Sequence, residues 1–367
     1  MKSLQTSLVL GALAALFVSA CGPNGATTGS GSNSVGVTTG AGGSGGSTAG
    51  AGGAGGAGGA SMTTASGPGG AAATSTAGST TSSSGSTGTG GSGGFGTIFT
   101  IILENHDASQ VVDSMDAPYI NSLIGKYGLA TSYEDSGSHP SLPNYLYLIS
   151  GDTQFPFPVG VDVQPTQLQF PKDEDNLGNQ LEVAGVNWRS YQEDMVTPCN
   201  LDPTADALYQ PKHDPFLYFT NIQSNAAVCA NRNVDYSLFP ADLAAGSYKY
   251  MWITPNMTNN GHDPTGDPVV ALKQSDLWLS HEVPKILASD AYKNNGVLFI
   301  TWDEGTGLFG ASSVAMIVIS PKLKSAGMKV ATPLSHASYL ATVEEIFGLT
   351  KLGDAGAATD LMEFFAP

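Results

Sequence analysis

The chain has 367 residues, with 31 acidic residues against 14 Lys and Arg and a formal net charge of −17. That balance argues against a nucleic-acid partner, because a phosphate backbone is neutralised by Lys and Arg. It does not exclude a small phosphorylated substrate, provided that metal ions supply positive charge locally.

The N-terminus carries Lys2, then an apolar run from Leu8 to Ala20, then Cys21. A positive start followed by a short apolar run marks an export signal over residues 1–20, and the run is too short for a comfortable membrane span. Val18, Ser19 and Ala20 before Cys21 resemble the bacterial lipobox, in which the cysteine becomes the lipidated first residue. The alternative is an ordinary signal peptide with a chance cysteine. Lipidation of Cys21 implies a bacterial lipoprotein, exported and held on a membrane surface on the periplasmic or extracellular side. Residues 21–94 are almost entirely Gly, Ser, Thr and Ala, without a charged side chain. Such a segment buries too little apolar surface to offset its ordering entropy, so it reads as a disordered tether. About 70 such residues have an r.m.s. span of about 45–50 Å.

Residues 95–367 suit one large domain. They carry all 31 acidic residues and all basic residues except Lys2. Continuous apolar runs at Thr97–Leu103, Tyr248–Thr254, Val297–Trp302 and Val314–Ser320 read as strands buried on both faces. Helical stretches follow or separate them at Ala117–Tyr127, Asn176–Val183, Asp267–Ser289 and Ser335–Phe347. The second of these precedes a short strand at Val186–Tyr191. Pro284 is expected to kink or divide the third helix; Ser335 and Gly348 bracket the fourth as caps. The alternation predicts an α/β fold with a mainly parallel central sheet flanked by helices. Residues 153–236 are rich in Pro, Asp, Asn and Gln and read as a loop-rich, cap-like insertion. With Cys21 assigned to lipid, Cys199 and Cys229 are expected to form one disulfide in an exported domain; two buried thiols are the alternative.

In open α/β sheets, ligands bind beyond the carboxyl ends of the strands. The chemically capable residues cluster there: Glu104–Asn105–His106 after the first run, Asn256 and His262–Asp263 after the second, Asp303–Glu304 after the third. Ser138–His139–Pro140–Ser141–Leu142–Pro143–Asn144–Tyr145 lies between the first helix and the insertion. Five of the six histidines (His106, His139, His213, His262, His336) fall in loop motifs, and His281 lies on a helix as a surface residue. Each cluster alone has a bland explanation as a cap or loop residue. Together they suit metal-assisted displacement at phosphorus. A hard divalent cation takes carboxylate, amide or imidazole ligands, and it activates a bound hydroxyl while shielding the phosphoryl oxygens. Ser141 is restrained by nearby prolines and can be presented rigidly. Histidines near the scissile bond can bind phosphoryl oxygens or protonate the leaving group.

Five motifs resemble, in order, those of the acid phosphatase and phospholipase C type phosphoesterase family, similar to a branch of the alkaline phosphatase superfamily. They are Ile102–His106, His139–Tyr145, Lys212–Phe216, Thr254–Met257 with Gly261–Asp263, and Thr301–Gly305. The resemblance implies an alkaline phosphatase-like fold and a divalent metal ion held by Glu104, Asn105, Ser141, Asp303 and Glu304. It also implies Ser141 as the nucleophile that forms a phosphoryl-enzyme. His139, His213, His262 and Asp263 are implied around the phosphoryl pocket, and His336 matches a late superfamily histidine. The family often continues its first motif with Ser or Thr and Phe, whereas His106 is followed here by Asp107–Ala108–Ser109. The expected activity is hydrolysis of phosphate monoesters. A phospholipase C-like phosphodiesterase acting on a phospholipid head group is the alternative, and a non-catalytic surface binding module the third reading.

Overall fold

The computed structural model describes residues 94–155, 160–171, 174–262 and 266–367. The expected signal segment 1–20, the lipidation site Cys21, tether residues 21–93 and Asp263 lie outside the described residues.

Ten strands follow one another as β1 (Ile98–Leu103), β2 (Gly128–Ala130), β3 (Tyr133–Glu134), β4 (Trp188–Gln192), β5 (Asn233–Asp235), β6 (Tyr250–Thr254), β7 (Val297–Trp302), β8 (Met316–Ile319), β9 (Met328–Val330) and β10 (Leu334–Ser335). Eight of them form one sheet in the order β5–β4–β6–β1–β7–β8–β2–β9, and β3 pairs with β10 beside it. The first five in that order are parallel, β8 runs against both its neighbours, and β9 is parallel to β2. The mainly parallel α/β sheet expected from the continuous apolar runs is therefore present. Every residue of β1, β6 and β7 is buried, as the lack of apolar–polar alternation requires. Thr100, a polar residue in the middle of β1, is satisfied by the Tyr339 hydroxyl at 2.8 Å, which in turn meets the Tyr250 hydroxyl at 2.8 Å.

The flanking helices pack in pairs. Helix Pro118–Lys126 lies against Pro268–Ala288, and Ser141–Ser150 lies against His336–Phe347. Asp276 of the long helix accepts hydrogen bonds from the Ile120 and Tyr119 N–H groups at 2.7 and 3.2 Å. It thereby satisfies two donors that the start of a helix leaves open. Pro284 does not divide the long helix, which continues to Ala288. The proline is exposed and lies four residues before the helix end.

The segment 153–236 is more integrated than a loop-rich cap. It contributes β4 and β5, which extend the main sheet beyond β6. Cys199 and Cys229 form a disulfide, tying the loop after β4 to the helix Ala226–Arg232 that leads into β5.

Candidate active site

The carboxyl ends of β1 and β7 lie side by side. The Asp303 N–H donates to the Leu103 carbonyl at 2.8 Å, and the Glu104 N–H donates to the Asn260 carbonyl at 2.8 Å. Two acids are thus set next to each other by strand register. Asn105 adopts a left-handed φ of 54°, a conformation that Asn tolerates better than most residues. The turn aims its N–H at Asp303 Oδ1 (3.1 Å) and its amide Nδ2 at Glu104 Oε2 (3.2 Å).

Ser141 is the first residue of helix Ser141–Ser150. Ser141, Asn144 and Tyr145 stand at i, i+3 and i+4, the spacing that places side chains on one helix face. All three reach the acids. Ser141 Oγ lies 3.2 Å from Glu104 Oε2 and 3.4 Å from Glu304 Oε1. Asn144 Nδ2 donates to Glu304 Oε2 at 3.3 Å and to the Ser138 carbonyl at 2.9 Å. The Tyr145 hydroxyl donates to Glu104 Oε1 at 2.5 Å.

The resulting centre is deeply buried and rich in carboxylates. Glu104 and Asp303 are fully buried, and Ser141 and Glu304 are 3% and 5% exposed. Burial pushes Glu104 up to about 8, against the stabilising hydrogen bond from Tyr145. Burial, then the charges of Glu104 and Glu304, push Asp303 well above the usual carboxylate range. Burial also raises Glu304, although His139 beside it acts in the other direction. Asp303 Oδ2 has no hydrogen-bond partner. Among the described residues, no three His, Cys, Asp or Glu side chains are grouped so as to hold a metal by themselves. A cation here would rely on Asn105 and Ser141 as well as the acids. That donor set is made of hard oxygens, and an unpartnered, buried carboxylate oxygen among like charges fits a divalent ion.

The histidines divide by what their ring nitrogens meet. His106 is turned away from the acids, with Nδ1 against the Glu104 carbonyl (2.9 Å) and Nε2 against the Pro268 carbonyl (3.0 Å). It fastens the loop and does not enter the centre. His336 lies below, with Nε2 at 2.6 Å from the Asp303 carbonyl and Nδ1 at 3.0 Å from the Tyr133 hydroxyl. Burial lowers its pKa. His139 has Nδ1 at 2.6 Å from Glu304 Oε2 and Nε2 at 3.0 Å from the Gly310 carbonyl. The Glu304 hydrogen bond raises it to about 9. Both of its nitrogens being engaged, His139 orients Glu304 and has no nitrogen left for a phosphoryl oxygen. His213 differs. It is buried, stacks on Tyr145 with ring centroids 5.1 Å apart, and holds Nε2 3.4 Å from Glu104 Oε1 without a hydrogen bond. Burial, then Lys212 and His262, hold it well below the usual histidine range. His262 follows Gly261, whose φ is 94° and whose position leaves a side chain only 3.2 Å from the Glu104 carbonyl. A glycine is what lets this loop approach the end of β1. His281 is exposed on the long helix, as expected.

Four contributors carry no role assigned from the sequence: Tyr145, Lys212, Asp162 and Asp135. Tyr145 stood in a motif without a role, although its i+4 spacing from Ser141 was the available signal. Lys212, the nearby cation that favours ionised Glu104, pairs with Asp162, and Asp162 Oδ1 accepts from the Leu142 N–H at 3.0 Å. The segment 153–236 is thereby fastened to the helix that carries Ser141. Asp135 accepts from Gly137, Gly305 and Ser312 N–H groups at 2.8, 3.1 and 3.0 Å, bracing the loop after Glu304.

A mainly parallel α/β sheet with a buried serine among carboxylates at its strand ends presents a hydroxyl that could act as a nucleophile beside a set of hard oxygen donors. The model of the Phosphoesterase family matches residues 107–350, and the chain belongs to that family, placing it among hydrolases of phosphoric ester bonds. It is 27% identical over 273 residues to a phosphatidylinositol-3-phosphatase of Mycobacterium tuberculosis, covering 73% of this chain and 82% of that one. It is 28% identical over 280 residues to a probable acid phosphatase of Kluyveromyces lactis, covering 73% and 62%. The chain thus spans less than two thirds of the yeast relative. Among solved structures it is similar to an alkaline phosphatase superfamily protein from Vibrio parahaemolyticus, with a TM-score of 0.48, 16% identity and coverage of 70% and 68%.

Proposed function

We propose that the protein is a metal-dependent phosphomonoesterase that works through a phosphoserine at Ser141. The observation that carries this reading is Ser141 Oγ held between Glu104 and Glu304, beside Asp303 with its unpartnered Oδ2. Glu104, Asn105, Asp303, Glu304 and Ser141 are the residues that would hold the cation. A divalent ion bound there supplies positive charge that lowers the hydroxyl pKa and offsets phosphoryl charge.

The chain's own groups account for the remaining steps. Ser141 Oγ forms the new bond to phosphorus as the ester P–O bond breaks opposite it, and its proton leaves to the flanking carboxylates. Tyr145 and Asn144 fix the carboxylate rotamers, and His139 fixes Glu304 from its other side. His213, a neutral imidazole with Nε2 towards Glu104, is placed to hydrogen-bond a phosphoryl oxygen, and His262 joins it on the family motif. Asp263 joins them in this proposal on the family motif alone. Water then attacks phosphorus and releases phosphate from Ser141. A phosphorylated small molecule or a phospholipid head group is the proposed substrate, in keeping with the phosphatidylinositol-3-phosphatase and acid phosphatase names of the relatives. The disulfide and the N-terminal sequence support an exported protein, lipidated at Cys21 and tethered to a membrane.

The test is hydrolysis of p-nitrophenyl phosphate and of p-nitrophenylphosphorylcholine by the full chain, with and without chelator. The expected result is turnover of the monoester, lost with chelator and restored by a divalent ion. Turnover of the diester alone reassigns the protein as a phosphodiesterase. No turnover of either by metal-loaded protein rejects the enzymatic reading.

A further inference from the structure

The loop 305–312 leaves the site directly after Glu304, and both of its ends are clamped. The Gly305 and Ser312 N–H groups donate to the two oxygens of one carboxylate, Asp135, at 3.1 and 3.0 Å. The Thr306 N–H donates to Asp107 Oδ1 at 3.2 Å, and the Thr306 hydroxyl also bonds Asp107. The Gly310 carbonyl faces His139 Nε2 at 3.0 Å. The base is too tight for side chains: a Cβ on Gly305 falls 2.3 Å from Asp107 Oδ1, and one on Gly307 falls 2.6 Å from Ser312 Oγ.

On this braced base stand Leu308 and Phe309, which are 79% and 76% exposed. Among the described residues they are the one pair of consecutive large apolar side chains with more than three quarters of each in water. A hydrogen-bonded loop that holds two such groups in water, four and five residues after Glu304 in the chain, forfeits the favourable burial of apolar surface, unless something apolar covers them. The sequence supplies a reason to expect a lipid surface: an apolar segment ends in Cys21, the expected lipidation site, and a long Gly/Ser/Thr/Ala tether follows. The domain itself carries 31 acidic residues against 13 basic ones, so an anionic surface would not draw it in by charge.

We propose that Leu308 and Phe309 form an interfacial anchor that inserts into the apolar zone of a lipid surface and sets the active-site mouth over phosphorylated lipid head groups. This inference rests on the phosphoesterase activity proposed above and names its substrate as one presented at a lipid interface. The anchor works through apolar insertion, so it favours zwitterionic surfaces, and its binding is little changed by salt.

The test uses the full chain with Cys21→Ser, which removes the proposed lipidation, and compares it with the same chain carrying Leu308→Ser and Phe309→Ser. Flotation with phosphatidylcholine vesicles reads binding without any requirement for activity. Turnover is read in parallel on p-nitrophenyl phosphate and on phosphatidylinositol 3-phosphate diluted into those vesicles. The expected result is a loss of vesicle binding and of vesicle-substrate turnover by about tenfold or more, with p-nitrophenyl phosphate turnover unchanged. Equal vesicle binding by both chains overturns the proposal. Equal losses on the soluble and vesicle substrates also overturn it, by making the loop tip a wall of the substrate pocket. Failure of the parent chain on both substrates rejects the enzymatic reading instead, and flotation still decides whether the tip is an anchor.

Discussion

Glu104 and Asp303 follow buried strands, whereas the histidines around Ser141 sit on loops or at a helix start, and the two groups are fixed by different means. The acids are set by the register of β1 on β7 and by the hydrogen bond from Asp303 N–H to the Leu103 carbonyl. A slip of one residue would turn them to the other face. The histidines depend on what meets each ring nitrogen. His106, His139 and His336 each have both nitrogens engaged, at least one of them against a backbone carbonyl in every case. His213 alone among these four brings an unbonded Nε2 towards Glu104. A histidine in a motif therefore locates a loop, and only its two partners decide whether it is free for chemistry.

The largest effect should come from the acids. Glu104→Ala and Asp303→Ala are expected to lower kcat by about 10³-fold and to reduce bound divalent metal on elemental analysis. Variants with normal metal content and normal turnover would remove the acids from the centre. A smaller effect separates two histidines. His213→Ala should lower kcat by about 10²-fold. His106→Ala should leave kcat within about threefold and cost about 1–3 kcal/mol of stability through its unpaired carbonyl partners, measured by urea unfolding. The reverse pattern would exchange their roles.

The smallest effect concerns a buried acid remote from this chemistry. Glu344 accepts from the Leu352 N–H at 2.9 Å and leaves Oε2 without a partner; burial raises it from 4.5 to about 8. The folded protein holds this proton after the unfolded chain has released it. Stability associated with Glu344 is thus present below pH 4.5 and is lost as pH rises towards about 8. Glu344→Gln should flatten that decline and be the more stable form at pH 8, with turnover unchanged. An unaltered stability profile would show that burial does not hold the proton there. A raised carboxylate pKa alone does not make a site; Glu104 and Asp303 differ from Glu344 in having each other, Ser141 and Asn105 within reach.

Much of this arrangement was legible in the sequence where continuous apolar runs ended abruptly in acids, as at Leu103–Glu104 and Trp302–Asp303. The ordered motifs located Ser141 and Asn144 as well. Other features depended on distant partners. β5 is three residues, Asn233–Asp235, with no apolar run to announce it, and it becomes a strand only by pairing with β4. The reversed direction of β8 is likewise a pairing choice, since its four buried apolar residues suit either orientation. The partners of His106 at Pro268 and of His139 at Gly310 lie more than 160 residues away along the chain. No local spacing encodes them. Lys212 and Asp162, 50 residues apart, meet within the segment 153–236, and Asp162 also joins that segment to the helix of Ser141 through the Leu142 N–H.

The most direct test of a single centre around Ser141 is rapid quenching of the metal-loaded protein during turnover of a ³²P-labelled monoester, followed by peptide mapping. The expected result is acid-stable label on the peptide containing Ser141, absent from Ser141→Ala along with turnover. Continued turnover by Ser141→Ala, or label on a histidine instead, would contradict the account.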